Sequence, residues 1–233
     1  MKIFLGFDER EKEAYEVCEY SLRRHSSKPL DIEPISSAHQ LYEREWHQRG
    51  IDRIDNIDGY PFSTDFSFAR FLVPQIMEYK GWAMFVDCDF LFRDDVQDLF
   101  SKAEDCYAVM CVPHNYRPNS PIKMDGVSQS KYYRKNWSSM VLWNCGHDMN
   151  KIITADQVNS RIGGELHKFF WLDDQDIGHV GEEWNWLEGH SSASIDPKAV
   201  HYTEGGPWFP YRQNVHFAQE WKAEFKRMKQ EAA

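Results

Sequence analysis

The chain of 233 residues has no CxxC pair, no apolar run long enough to cross a bilayer and no excess of positive charge. Each absence removes a class of function. Its five cysteines, Cys18, Cys88, Cys106, Cys111 and Cys145, are odd in number and scattered, against both a disulfide framework and zinc-type spacing. Such a set suits reduced core thiols in a reducing compartment. The opening residues, MKIFLGFDERE, turn polar after six positions, unlike a secretory signal. With no membrane-length run either, a soluble cytoplasmic chain without a transmembrane segment is expected. A formal net charge of −10 argues against non-specific nucleic-acid binding, which needs a basic surface to neutralise phosphates. An acidic chain that handles an anionic ligand must gather positive charge locally, and a bound divalent cation does so directly. Internal repeats and low-complexity linkers are also missing, so one domain over 1–233 is expected.

What the sequence does have is aromatic residues, 15% of the chain with nine Trp and fifteen Phe. They can stack on sugar rings or bases, although for any single ring core filling is the commoner use. Lys2 to Phe7 forms an apolar strand that ends in Asp8. Behind it Ala14, Val17, Cys18, Ser21 and Leu22 fall at helical spacing, predicting an amphipathic helix from Glu9 to Arg24. Leu30 to Ile35 gives a second strand, and strand–helix–strand points to an α/β fold with a parallel sheet. Residues Ser36 to Phe62 are polar and irregular, too long for an ordinary connection, and are expected to line or cover a site. Ala69, Leu72, Val73 and Ile76 mark another helix, with Pro74 set to kink or divide it. Trp82 to Val86 is an apolar strand running into Asp87, and Tyr107 to Val112 and Ser139 to Trp143 form two more around a Pro- and Ser-containing loop. A helix is expected around Ala155 to Ile162 and a short strand from Ala199 to Tyr202. From His216 onward a charged helix carries Trp221, Phe225 and Met228 on one face, for docking onto the domain or for peripheral contact with a membrane surface.

The most informative segment is Trp82-Ala-Met-Phe-Val-Asp87-Cys88-Asp89-Phe-Leu-Phe-Arg93. An apolar strand delivers two carboxylates, at i and i+2, to the carboxyl end of a sheet, where open α/β folds bind ligands. Oxygen ligands of this kind suit Mg²⁺ or Mn²⁺ that also holds phosphate oxygens, and the bland alternative is an exposed acidic turn.

This segment resembles the DxD strand of the GT-A glycosyltransferases, specifically the family 8 group that includes glycogenin and bacterial lipopolysaccharide galactosyltransferases. Four other segments match in order across most of Lys2 to Trp208, with poorly matching loops between them. The resemblance implies a Rossmann-like, mostly parallel sheet flanked by helices. It also implies transfer of a hexose from a nucleotide sugar, a UDP-sugar first among them, to an acceptor hydroxyl with retention of configuration. Ser67-Phe68-Ala69-Arg70-Phe71-Leu72 is similar to the helix whose Arg contacts the donor, and an Arg near the metal can pair with diphosphate or sugar hydroxyls. Phe7-Asp8 resembles the place that holds base and ribose, with Cys88 of the DxD nearby. Asp8 with Glu11 equally forms a capping-box pattern, and the two roles can coexist. Leu172-Asp173-Asp174-Gln175-Asp176 is similar to the D-Q-D segment, which implies that Asp174 contacts sugar hydroxyls and Gln175 lies near the anomeric carbon. Val200-His201-Tyr202-Thr203-Glu204-Gly205-Gly206-Pro207-Trp208 resembles the closing motif, in which His201 would complete a metal site with Asp87 and Asp89. An imidazole ligand favours manganese over magnesium.

Two departures from the family pattern stand out. The closing motif lacks the usual Lys before Pro-Trp and has Gly206 instead. Gly205 and Gly206 N–H groups can form a phosphate nest, or a Lys or Arg elsewhere can substitute. Where the family has Asn-Ala-Gly, this chain has Trp137-Ser138-Ser139, with Asn136 or Ser138 as stand-ins. The acceptor, a saccharide, a lipid-linked glycan or a protein, is open. The rivals are a haloacid-dehalogenase-type phosphatase, which also ends a strand in DxD but wants it in the first strand, and a nucleotidyltransferase, which wants a basic Gly-rich loop after strand one. A catalytically inactive nucleotide-sugar or sugar-binding protein is the non-enzymatic alternative.

Overall fold

Strand β1 (Lys2–Gly6) is almost wholly buried and pairs in parallel with two neighbours, β2 (Asp31–Ile35) on one side and the later Trp82–Val86 strand on the other. The computed structural model describes residues 1–115 and 134–232. Between β1 and β2, helix α1 (Lys12–His25) buries Ala14, Val17, Cys18, Ser21 and Leu22, the positions that its sequence periodicity selects. Pro34 has no N–H to give to a ladder and is tolerated because β2 is an edge strand.

The segment 36–62 is not irregular. It contains β3 (Trp46–Arg49), β4 (Asp52–Asp55) and β5 (Pro61–Phe62), which form a small antiparallel sheet of their own. Every residue of β3 is exposed, so no apolar alternation announces it. Buried Arg44 anchors this sheet: it chelates Asp55 with Nε and Nη2, donates to the Val158 carbonyl at 2.8 Å, and lies 4.0 Å from the Phe68 ring centroid. The next helical segment is divided at proline, as Pro74 predicts. A 3₁₀ stretch over Ala69–Leu72 runs into the single turn of α2 (Val73–Ile76).

Strand β6 (Trp82–Val86) follows, then β7 (Phe90–Phe92), α3 (Val96–Phe100), β8 (Val109–Cys111) and β9 (Met140–Asn144). Most of the Pro- and Ser-containing loop expected between β8 and β9 lies outside the described residues. Helices α4 (Ala155–Ser160) and α5 (Gly163–His167) lead to β10 (Ile177–His179), β11 (Trp186–Leu187), β12 (Ala199–His201) and α6 (Ala218–Glu231).

The central sheet has the order β10-β8-β9-β6-β1-β2, with five strands pointing one way and β9 reversed. Because β2 and β6 lie on opposite sides of β1, strand order reverses beside β1, and a crevice opens at the carboxyl ends of β1 and β6. A second sheet, β11-β12-β7, stands beside it. Trp143, Trp171, Phe71 and Phe169 pack ring on ring on one side of the central sheet, and each fully buried ring contributes roughly 2–3 kcal/mol. The apolar face of α6 is docked: Trp221, Phe225 and Met228 share a cluster with Val17 and Leu91. Among the described residues no helix is long and apolar enough to cross a membrane.

Candidate active site

Asp87 and Asp89 sit on the turn between β6 and β7, fixed from two sides. The Asp87 N–H donates to the Ser139 carbonyl at 2.8 Å, and the Asp89 carbonyl accepts from the Tyr202 N–H at 2.9 Å. The second bond belongs to the β7–β12 pairing, whose register sets His201 opposite Phe90. His201 therefore arrives beside the DxD turn from a point more than a hundred residues downstream. Its Nε2 lies 3.4 Å from Asp89 Oδ1, and its ring stacks on Phe90 with centroids 4.4 Å apart. Asp87, Asp89 and His201 each offer one ligand atom, all within 4.8 Å of one another.

Asn185, fully buried, decides which imidazole nitrogen faces the carboxylates. Its Nδ2 donates to Ser139 Oγ at 2.9 Å, which turns its Oδ1 toward His201 Nδ1, also at 2.9 Å. With the proton on Nδ1, Nε2 presents a lone pair toward Asp89, and a cation between them would be held by both. Two carboxylates with an imidazole held in this tautomer are a donor set that fits Mn²⁺ or Mg²⁺. Burial pushes the neighbouring His114 down to about 3, with the proximity of His201 adding to the effect, so His114 is neutral beside the site.

Arg70 is buried against the rings of Phe85 and Phe66 and pairs with Asp87 Oδ1 at 2.7 Å. It also donates to the backbone carbonyls of Ser67 and Ser138, at 3.1 and 2.8 Å. A cavity of about 320 Å³ opens at this point. Among its walls are Arg70, Asp87, Asp89, Ser138 and His201, all expected from sequence. It also takes in Asn136, the other expected stand-in, and Tyr60 to Phe62 at the end of the segment expected to line a site, together with Ser63, Thr64, Lys135, Ser139, His167 and Thr203, which the sequence did not single out. Asn136 holds a left-handed φ of 66°, the kind of strain that functional loops tolerate.

Other expected residues lie elsewhere. Asp8 is fully buried and caps the turn that follows β1, accepting from the Arg10 N–H at 3.0 Å. The same carboxylate receives Arg10 Nε and Nη2, Arg53 Nη1 and the Asp65 N–H, so both oxygens are engaged. Burial alone would raise its pKa, but the Arg10 hydrogen bonds and the charges of Arg10 and Arg53 prevail and hold it at about 2. Phe7 packs edge-on against Tyr15. The Cys88 side chain is buried and points at Glu11. The Gly205 N–H donates to the Tyr202 carbonyl at 2.7 Å. A Cβ on Gly206 would strike the Trp208 ring at 2.1 Å, so close packing accounts for that glycine.

Asp174 and Gln175 are not brought to the cavity. They form an exposed 3₁₀ turn ahead of β10, and Asp174 pairs with Arg134. Strand β10 runs in the same direction as β6, yet this turn precedes β10 whereas Asp87 follows β6.

No family model matches the sequence. Across 239 aligned residues, 99% of this chain and 88% of the relative, it is 46% identical to "Protein CDI" of Arabidopsis thaliana. The chain belongs to the Protein CDI family. Among solved structures, this CDI-family fold resembles galactosyltransferase LgtC in complex with donor and acceptor sugar analogues, with a TM-score of 0.59 at 14% identity over 97% of this chain and 96% of LgtC. The glycosyltransferase GlyE of Streptococcus pneumoniae TIGR4 gives 0.62 at 16% identity, over 99% of this chain and 63% of GlyE. The bifunctional glycosyltransferase WbbM gives 0.57 at 16% identity over 97% of this chain, which spans about half of WbbM. The fold is therefore the GT-A fold of glycosyltransferases, with the DxD pair at a strand end as expected, and the phosphatase reading of that motif is not favoured.

Proposed function

We infer that this protein transfers a hexose-type sugar from a nucleotide sugar, with a UDP-sugar as the donor, to an acceptor hydroxyl. The observation that carries the reading is the convergence of Asp87, Asp89 and His201 in the wall of a cavity in a glycosyltransferase fold. LgtC is described with donor and acceptor sugar analogues, which supports the same two-substrate arrangement here.

A divalent ion at Asp87, Asp89 and His201, Mn²⁺ or Mg²⁺, would supply the positive charge that stabilises a departing diphosphate. The protein's own residues do the rest. Asn185 holds His201 in the ligating tautomer, and Arg70 keeps the Asp87 carboxylate in place while bridging to Ser138. Lys135, which lines the cavity, would supply the charge of the lysine that the closing motif lacks. In the transfer, the bond from the anomeric carbon to the phosphate oxygen breaks and a bond to the acceptor oxygen forms. The acceptor's proton passes to the departing phosphate. Retention of configuration belongs to the same proposal, and NMR of the product anomer tests it.

The primary experiment is a thermal-shift panel of UDP-Glc, UDP-Gal, UDP-GlcNAc and GDP-mannose with and without Mn²⁺, followed by UDP-release assays. Metal-dependent stabilisation by a UDP-sugar is expected. UDP release that chelator and Asp89→Ala both leave unchanged would sink the metal role, and stabilisation by GDP-mannose alone would overturn the uridine assignment.

A further inference from the structure

Resting on the donor reading above, in which Lys135 supplies charge to the diphosphate, we propose that Arg134 and Asp174 are positioning residues that plant Lys135 in the cavity wall. Residues 134–137 form a tight turn. The Trp137 N–H donates to the Arg134 carbonyl at 3.2 Å, and Asn136 is left-handed with φ 66° and ψ 0°. Lys135 is not left-handed, so this is a type II turn with Lys135 at its first corner and Asn136 at its second. Arg134 is itself left-handed, with φ 59°. A long side chain keeps that conformation only where its surroundings hold it. Its own guanidinium supplies the hold. Buried, it donates to the Lys168 carbonyl at 2.6 Å, pairs with Asp174 Oδ1 and lies 5.5 Å from the ring of Trp137, the last residue of the same turn.

The other side of the turn is tied to the metal-ligand residues. Ser139 Oγ donates to the Asn136 carbonyl at 2.7 Å, and the Ser139 carbonyl accepts from the Asp87 N–H at 2.8 Å. Thr203, two residues past His201, donates to Asn136 Oδ1 at 3.5 Å. Lys135 is therefore presented between an anchor on the 168–174 segment and the turn that carries Asp87. Of the described residues, Arg70 and Lys135 bring the Lys and Arg side chains to this cavity, and Arg70 is engaged by Asp87. A lysine acts on phosphate as a point charge on a flexible stem, so its effect depends on where its backbone is fixed. Asp174 is not part of the cavity wall, and its carboxylate is 76% exposed while the Arg134 side chain is 7% exposed. Removing that carboxylate leaves the buried guanidinium without its counter-charge and loosens the turn that Lys135 stands on. The acidic motif around Asp174 thus reaches the site through Arg134.

The test is calorimetric titration of the full chain with UDP in the presence of Mn²⁺, at low and high salt. The chains compared are the wild type, Lys135→Ala, Asp174→Ala, Asp174→Glu and the double variant Lys135→Ala/Asp174→Ala. Asp174 is exposed, so its removal probes the anchor without the core disruption that replacing Arg134 would bring, and circular dichroism checks that each variant is folded. Lys135→Ala should weaken UDP about 10- to 100-fold at low salt, with the gap narrowing at high salt. Asp174→Ala should weaken UDP about 3- to 10-fold with the same narrowing, Asp174→Glu should recover part of the loss, and the double variant should be no weaker than Lys135→Ala alone. A loss in Asp174→Ala that persists undiminished in the Lys135→Ala background, or no loss in either single variant, overturns this inference and leaves the donor reading standing. A wild type that binds no UDP overturns the donor reading and this inference with it.

Discussion

His201 Nε2 faces Asp89 Oδ1 at 3.4 Å because β12 pairs antiparallel with β7 in a register that sets His201 opposite Phe90. A slip of one residue in that ladder would turn the imidazole to the other face of the small sheet and dissolve the ligand set.

The tautomer argument makes Asn185 the first residue to test. Asn185→Ala, which touches no metal-ligand atom, should lower Mn²⁺ affinity about 10- to 100-fold through loss of His201 orientation. Asp89→Asn and His201→Ala should abolish tight binding. Electron paramagnetic resonance of free Mn²⁺ reads all three, and wild-type affinity in Asn185→Ala would refute the orienting role.

Arg70→Met should destabilise the metal-free protein by about 3–5 kcal/mol, because it leaves the Asp87 carboxylate in a mostly buried place without its cation. Saturating Mn²⁺ should restore part of that loss, since the ion supplies the missing charge. Urea unfolding with and without Mn²⁺ measures both effects. A loss that Mn²⁺ does not touch would separate Arg70 from the ligand set.

Asp8 predicts the acid side of the stability profile. Its folded-state pKa of about 2 lies below the ordinary value of 3.8, so its contribution is complete above pH 4 and is lost as pH falls toward 2. The shift corresponds to about 2 kcal/mol. Asp8→Asn should be less stable than the wild type at neutral pH, with the gap closing between pH 4 and pH 2. A constant gap across that window, by denaturant titration at fixed pH values, would contradict the assignment.

Thiol labelling offers an independent check on the packing. Burial pushes Cys18 and Cys88 well above the usual thiol range, and Cys111 and Cys145 up to about 12. Cys106 alone of the five is exposed. At pH 7.5 an aromatic disulfide reagent should modify one thiol in the folded protein and five in denaturant. Rapid native modification of Cys88 would mean that the DxD turn opens to solvent.

Much of the site was legible because its signals are local. An apolar strand running into Asp87-Cys88-Asp89 declares itself by periodicity and charge, and so does the α1 face from Ala14 to Leu22. Arg70 and His201 were found by their motif neighbours, and both reached the cavity. The small sheet over 46–62 was invisible because β3 is wholly exposed and lacks the alternation that marks a strand with one buried face. Asp174-Gln175 carried a strong motif, but their place ahead of β10, with Asp174 paired to Arg134, follows from strand pairing and not from any local pattern.

By itself, then, the sequence determined the α/β pattern, the paired carboxylates and the residues with the chemistry to hold a cation, since each depends on residue type and short-range spacing. Only the tertiary structure decided that His201 meets Asp89, that Asn185 sets its tautomer and that His167 meets Ser138 in the cavity wall. Those contacts join segments far apart in the chain, and they follow from ladder register and core packing that no local pattern encodes.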